Sequence, residues 1–482
     1  MIEQLCASID LGSNSFRLLI AKTINTPNGY QIIPILNARK QVSLASGLDE
    51  DNILDKESIQ RAADAFSYFK HKIQAVNKDK VFIVATSTFR IAKNIKILID
   101  KGEEILGVSI QTISGLEEAR LIYLGTSHTA PHTDLNRLVI DIGGGSTEFI
   151  LGHYHKPLLC KSANIGCIGI SNMFFKNEYS ENNFNQAILY IKNNTIDIVN
   201  DFKKQIWNQV IGSSGTARIL AYLACELGNE EEYLLTRNGL DIIKNYLISC
   251  QSLDNVKLKK INQQRIVILP GGLSIMIAIF EELNIQTMYI QEGGLRFGIL
   301  YENLDSIEHN DVRDISIDSL QSRFYMNILP IEQLLIVGDY FATELGLNKT
   351  EVKFLNWALK LHQIGSYISA DAIHKHSAYI IQNSILPGFY SQEQIMLCNL
   401  VLGQKGSLNK LSADFIIQNK DIIMCLRLSI ILLKNSLLYQ YKNFKISTSK
   451  NGYTINTLPN LSNILYEEEK YWKKVNIEYN LI

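Results

Sequence analysis

The chain has 482 residues, 46% of them hydrophobic, and its charged groups nearly cancel to a formal net charge of −1. That length holds about three or four domains and the apolar content is ample for packed cores, which excludes a disordered protein. The balanced charge gives no global basic field and argues against a nucleic-acid scaffold, so any anion site must be local. No apolar run is long enough to span a bilayer, and the first residues lack the basic and apolar segments of a secretory signal. The seven cysteines are odd in number, scattered and without CxxC spacing, and read as reduced thiols rather than a disulfide frame or zinc site. A cytoplasmic protein without integral membrane contact is expected.

In chain order, an apolar run at 5–9 enters Ile9-Asp10-Leu11-Gly12-Ser13-Asn14-Ser15 and leaves through a second run at 16–20, a strand–turn–strand hairpin. A strand at 31–36 follows, then a helix over 57–76 with Ile59, Ala63, Phe66, Phe69 and Ile73 at helical spacing. Strands at 81–86 and 108–113 and a helix at 117–124 complete an α/β half. The second half repeats the logic, with hairpin strands over 138–159 around Ile140-Asp141-Ile142-Gly143-Gly144-Gly145-Ser146-Thr147-Glu148. Helices cover 182–202, a strand at 210–216 enters a helix, and 265–269 is expected to be a strand ending at Pro270-Gly271-Gly272. A helix at 273–283, a strand at 288–291 and a helix at 295–304 close this half. Beyond residue 305 the pattern is amphipathic helix, until a hairpin at 444–447 and 453–457 turns on Asn451-Gly452. The expected domains are 1–124, 125–304 and 305–482.

The two acidic glycine turns carry the chemistry. Glycines and small hydroxyl residues let backbone N–H groups converge on an anion, and the Asp that ends each strand can hold a divalent cation directly or through water. One such turn alone reads equally as a tight hairpin without a ligand. Two turns facing each other across a cleft would enclose a phosphate chain and its metal.

The ordered motifs IDLGSNS, VATSTFR (84–90), ISGLEEAR (113–120), VIDIGGGSTE, GSSGT (212–216), LPGG (269–272) and GGLRFG (293–298) resemble the exopolyphosphatase and guanosine pentaphosphate phosphohydrolase family. The resemblance runs over essentially the whole chain. It implies an α/β fold with two actin-like ATPase-type (ribonuclease H-like) domains and a mainly helical HD-like C-terminal region. It also implies hydrolysis of a terminal phosphoanhydride, with Glu118 as the base for the attacking water and Arg90 gripping the terminal phosphate. Asp141 and Glu148 would carry Mg²⁺ or another hard divalent cation. Gly143, Gly144 and Ser146 would donate to phosphate, and Asn14, Ser15, Ser214, Gly215 and Thr216 would complete the enclosure. Taken alone, Glu-Glu-Ala-Arg is a solvated helix face, Arg90 a surface helix residue and Glu148 a strand residue facing solvent. Cys167 reads as a small packed thiol, and Glu117 as structural.

In the helical end, His362 is followed by Gln363 and Ala370 stands where one branch of the family has His. His374 and His376 are therefore expected to pack, cap or touch substrate, with no second metal centre. The resemblance leaves two substrates, inorganic polyphosphate as the primary one and guanosine pentaphosphate (pppGpp) as the alternative. An actin-like ATPase or small-molecule kinase is the alternative of another class. The helical end is expected to extend the groove for long polymers or to form a homodimer contact. Arg17, where relatives often have His, and Phe297, in place of an acidic residue, are departures not expected to touch the reacting phosphoryl group.

Overall fold

The computed structural model describes residues 4–481 except 27–28, 132–133, 177, 229, 259–260, 304–311, 325–329, 385, 387, 390, 450–451 and 458–461. The chain divides into two compact units, residues 1–25 with 29–309 and residues 26–28 with 310–482. The expected boundary at 304/305, the turn residue Asn451 and Pro387 of the LPGF motif lie outside the described residues.

The first unit contains two sheets of like topology. In the first, β1 (Gln4–Leu11), β2 (Ser15–Thr26), β3 (Gly29–Gln41), β4 (Val81–Ala85) and β5 (Ile110–Thr112) lie in the order β3-β2-β1-β4-β5. The second contains β6 (Asn136–Ile142), β7 (Thr147–His153), β8 (Lys156–Ala163), β9 (Gln209–Gly212), β10 (Leu234–Thr236) and β11 (Thr287–Ile290), in the order β10-β11-β9-β6-β7-β8. Apart from the edge strand β10, the second sheet repeats the first, with β6 in the place of β1. In both, the first strand pairs antiparallel with its hairpin partner and parallel with the strand that follows the hairpin's outer strand in sequence. This is the ribonuclease H-like order, and the fold class agrees with the expected one.

The duplication sets the register of the turns. Asp10 stands opposite Arg17 across the first hairpin, and Asp141 opposite Glu148 across the second. Both aspartates are therefore the penultimate residues of their strands, at the strand ends where α/β sheets present ligands.

The helix Gly115–Thr129 is wedged between the sheets. Ser114 caps it by accepting from the Glu117 amide at 3.1 Å. Leu121 packs with Val84 of the first sheet, while Ala119, Ile122 and Tyr123 pack with Val139, Ile150 and Ile211 of the second. The expected domain boundary at 124/125 falls inside this helix, because its apolar residues are not confined to one face. It crosses Leu295–Asn303 backbone to backbone: a methyl on Gly298 would lie 1.8 Å from the Leu121 carbonyl oxygen, and one on Gly125 2.1 Å from that of Gly294.

One element differs in type from expectation. Residues 265–269 are not a strand: they span the helix Gln263–Val267 and the start of the buried helix Leu269–Glu282. The Asn262 side chain caps the first helix by accepting from the Arg265 amide, and Pro270 occupies the first turn of the second, where its missing N–H costs nothing. A short apolar run has no period to tell strand from buried helix.

The second unit is a helical core around Phe341, Trp357, Met424 and Trp472, flanked by β12 (Lys445–Ser449), β13 (Gly452–Asn456) and β14 (Glu478–Leu481). The expected late hairpin is present, and β14 adds a parallel strand to it. A buried ion pair ties this unit together. Arg427 donates to Glu468 through Nε at 2.6 Å and Nη2 at 2.8 Å, and also to the carbonyls of Gly403 and Gly406. Glu468→Gln weakens this pair and Glu468→Ala strands a buried guanidinium. The alanine variant is expected to lose about 3–5 kcal/mol of stability in urea unfolding, and an unchanged midpoint would show that solvent reaches the pair.

Candidate active site

The first turn is fixed from outside itself. The Asn14 carbonyl accepts from Val42 at 3.1 Å and Ser43 at 2.9 Å, and its side-chain oxygen accepts from Gln41. Ser13 Oγ accepts from the Thr88 amide at 3.2 Å, in the first turn of the short helix Ser87–Ile91 that carries Arg90. The turn residue Ser13 thus fixes the helix that aims the arginine.

The second turn is held by the helix Cys167–Phe174, whose first amides, those of Cys167 and Ile168, donate to the carbonyls of Gly143 and Gly144. The Gly143 amide donates to the Ser146 carbonyl at 2.9 Å and closes the turn. Among the described residues nothing takes up the amides of Gly144 and Gly145, which are the donors this turn can offer. The two turns lie against each other. A methyl on Gly144 would sit 3.3 Å from Asn14 Cβ, and one on Gly145 would sit 3.1 Å from Ser13 Oγ and 2.6 Å from Ser87 Oγ, so a side chain at either position would push on the facing turn.

Behind the turns is a cluster of buried carboxyl groups. Glu118, in the first turn of Gly115–Thr129, accepts from Arg90 Nη1 at 2.8 Å, and the same Nη1 donates to the Ile113 carbonyl at 3.1 Å. Burial pushes the Glu118 carboxyl up to about 7 against the opposing pull of Arg90, with Asp10 and Asp141 adding repulsion. Burial likewise raises Asp10, Asp141 and Glu148, and Glu148 feels both Glu118 and Asp141. Glu148 is 1% exposed, and serines bond to it: Ser162 donates to Oε1 at 2.9 Å, and Ser146 also lowers its proton affinity. Asp141 accepts from Ser213 Oγ at 2.6 Å.

The structure therefore brings Arg90, Glu118, Asp141 and Glu148 together and adds Asp10, Ser162 and Ser213. Ser146 turns its hydroxyl to Glu148, Thr216 donates its own to the Ile142 carbonyl at 3.0 Å, and Ser214 caps the helix Gly215–Gly228 by accepting from Ala217. These three side chains are spent on shaping the site. Gly215 instead lies beside two guanidinium groups, 3.4 Å from Arg17 Nη2 and 3.9 Å from Arg265 Nη1 measured from its would-be Cβ.

That arginine cluster is the part that sequence reasoning missed. Burial, then the charges of Arg265 and Arg17, push Arg39 down to about 10; burial with Arg17 and Arg218 lowers Arg265 as well. Arg39 Nε is buried without a hydrogen-bond partner. Arg17 also faces Asp10 and Asp141. Its place opposite Asp10 across the hairpin was readable from the sequence, but the arrival of Arg39 and Arg265 from distant segments was not. Phe297, the other departure, packs with Leu19, Ile32 and Tyr301 and has no part in the site.

The carboxyl cluster predicts a pH dependence of stability. Glu118 binds its proton more tightly folded, at about 7, than unfolded, at about 4.5. The folded state therefore holds the extra proton across that window, and the contribution fades as pH rises through it. Without divalent cation, wild type is expected to lose roughly 5–10 °C more in Tm between pH 5 and pH 8 than Glu118→Gln does. Parallel melting curves for the two proteins would refute the buried, repelled carboxyl.

A family model for the Ppx/GppA phosphatase family matches residues 23–307, and the model for domain III of the same family matches 312–464. The chain belongs to the Ppx/GppA phosphatase family. Membership makes it a phosphoanhydride hydrolase and sets aside the kinase alternative. It is 34% identical over 460 residues to the guanosine-5'-triphosphate,3'-diphosphate pyrophosphatase of Vibrio atlanticus, covering 94% of this chain and 91% of that one. The protein of that name from Pseudoalteromonas translucida is 35% identical over 438 residues, 88% of this chain and 86% of its own. Among solved structures, an exopolyphosphatase from Cytophaga hutchinsonii superposes with TM-score 0.57 at 24% identity, over 63% of this chain and 98% of its own. The Aquifex aeolicus PPX-GPPA enzyme gives 0.52 at 23%, over 62% and 100%. Both likenesses bear on the fold.

Proposed function

We propose that this chain removes the terminal phosphate from the 5′-triphosphate end of guanosine 5′-triphosphate,3′-diphosphate (pppGpp), in the cytoplasm and with a divalent cation. The observation that carries the reading is a buried glutamate, Glu118, raised to about 7 beside Arg90 and within the field of Asp10 and Asp141. A general base works best with a pKa near the working pH, and burial supplies that here. Its first-turn position on a helix favours the ionised form.

The carboxyl groups fit a cation. Four raised carboxyl groups share one directly paired guanidinium, while Arg17 and Arg296 reach the aspartates through their fields and leave all four raised. Among the described residues no three His, Cys, Asp or Glu converge into a full cage. Mg²⁺ takes one or two carboxylates and completes its shell with water and phosphate oxygens. Asp141 and Glu148 would hold the cation, with Asp10 facing Asp141 and Ser162 fixing the Glu148 carboxyl. When bound, the cation would polarise the phosphoryl oxygens.

The remaining steps belong to the chain. The free amides of Gly144 and Gly145 take the terminal phosphate oxygens from one side, and Arg90 takes them from the other while keeping Glu118 ionised. Glu118 accepts the proton of the attacking water. Arg17, Arg39 and Arg265 receive the anionic groups further along the substrate. A nucleotide with a second diphosphate would match three convergent guanidinium groups, and full-length relatives carry the pyrophosphatase name.

Inorganic polyphosphate, the primary expectation from the sequence, is the second reading, supported by the exopolyphosphatase-like LPGG and HKHSAYI stretches. The same catalytic groups serve both. The proposed domains are 1–124, 125–304 and 305–482, with the last forming a homodimer contact. Purified protein offered pppGpp and polyphosphate side by side under Mg²⁺ should release phosphate, with kcat/KM higher for the nucleotide. A higher value for the polymer would reverse the order, and release from neither would overturn the reading.

A further inference from the structure

The second unit contains a cavity of about 170 Å³ whose walls include His362, His374, Gln404, Lys405 and Lys434. Its charge has one sign. Burial and the fields of Lys410, Lys375, Lys405 and Lys434 push the His374 imidazole down to about 4. Burial, with Arg427, Lys375 and Lys405 opposing Glu468, pushes the Lys410 ammonium down to about 8, and Lys434 is lowered in the same way. The Glu468 carboxylate, the acidic group whose field reaches Lys410 and Lys434, is already taken by Arg427. Among the described residues none of these four lysines has an ion-pair partner.

Two further features point at a ligand. His362 is 1% exposed, its Nδ1 lies 2.6 Å from the Leu359 carbonyl, and its Nε2 has no hydrogen-bond partner. A carbonyl only accepts, so Nδ1 carries the proton and Nε2 is a bare buried lone pair on a residue that lines the cavity. In addition, the helix Ile373–Gln382 starts here behind Ala372, whose side chain offers no capping oxygen and whose φ is 51°. An uncapped helix start presents free amides and positive potential.

We propose that this cavity binds a tetrahedral oxyanion of the phosphate class. The lysines supply the counter-charge and the helix start supplies donors. The bare Nε2 of His362 accepts the P–O–H hydrogen of a monoprotonated phosphate. A metal is excluded by the sign of the charge and by the amide of Gln363 in the wall. The chemistry is shared by free orthophosphate and by one phosphoryl group of an oligophosphate chain. This site is independent of the assignment of Glu118 and Arg90.

The test uses the full chain with its nine histidines labelled at ¹³Cε1, in EDTA and at constant ionic strength set with chloride. Orthophosphate and tripolyphosphate are titrated in separate arms. The His362 and His374 resonances should shift and saturate. Lys405→Gln in the loop and Lys434→Gln at a helix end should each weaken the midpoint about tenfold, equivalent to about 1.4 kcal/mol. Arg90→Ala in the other unit should leave the midpoint unmoved. A midpoint about tenfold lower for tripolyphosphate identifies a chain as the ligand, and equal midpoints identify orthophosphate. A non-saturating drift matched by chloride, or midpoints indifferent to both lysine substitutions, would overturn the proposal.

Discussion

Glu118→Gln lowers kcat for phosphate release by about 10²–10⁴-fold while substrate binding is nearly kept, because it removes the proton acceptor and leaves shape and hydrogen-bond geometry in place. The carboxylate of Glu118 accepts from Arg90, and the Gln amide oxygen can do the same. The pH profile separates this loss from a structural one. In wild type the base must be ionised, and burial holds its pKa near 7, so kcat/KM climbs as pH rises through that region. In Glu118→Gln that acidic limb is absent. Single-turnover phosphate release at wild-type rate, or an unchanged acidic limb in the variant, would remove Glu118 from the role.

Arg90→Ala costs about 10²–10³-fold in kcat/KM through both terms. KM rises because a charged donor to phosphate is lost, and kcat falls because the transferring phosphoryl group loses stabilisation. A second consequence follows from the structure. Without the 2.8 Å bond, Glu118 keeps its desolvation and loses the partner opposing it, so the acidic limb moves to higher pH. Arg90→Lys should recover part of kcat/KM but not bidentate binding. Combined with Glu118→Gln, the losses should be far from additive, because the two side chains act as a unit. Additive losses and an unmoved limb would place the phosphate elsewhere.

The sequence carried the site unevenly. The paired turns were legible because glycine at close approach and Asp at a strand end are local requirements, and the duplicated sheet order follows from repeating them. The pairing of Arg90 with Glu118 was expected only as shared contact with phosphate; their direct bond depends on the ladder β1-β4-β5, which sets the helix Ser87–Ile91 beside Ile113. Ser162 and Ser213 were not singled out, since a serine's worth lies in the carboxylate it meets. The arginine cluster is assembled from β2, β3 and the helix Gln263–Val267, and Arg265 was expected to begin a strand. In the helical unit, His362, Gln363, Ala370 and His374 had been noted as a pattern that fails to bind metal, yet all four line one cavity. Their shared wall was not legible, nor were the lysines that line it, which come from the loop at Lys405 and the helix end at Lys434.

The helix that bears Glu118 touches both sheets and locks onto Leu295–Asn303 through glycine contacts too tight for a methyl group. It is placed as an axle, whereas Arg90 and the glycine turns are placed on the jaws. Any rocking of the two sheets about that axle sweeps the turns through a wide arc and Glu118 through a narrow one. The 2.8 Å bond from Arg90 to Glu118 is then the link between jaw and axle, the contact through which such a movement reaches the base.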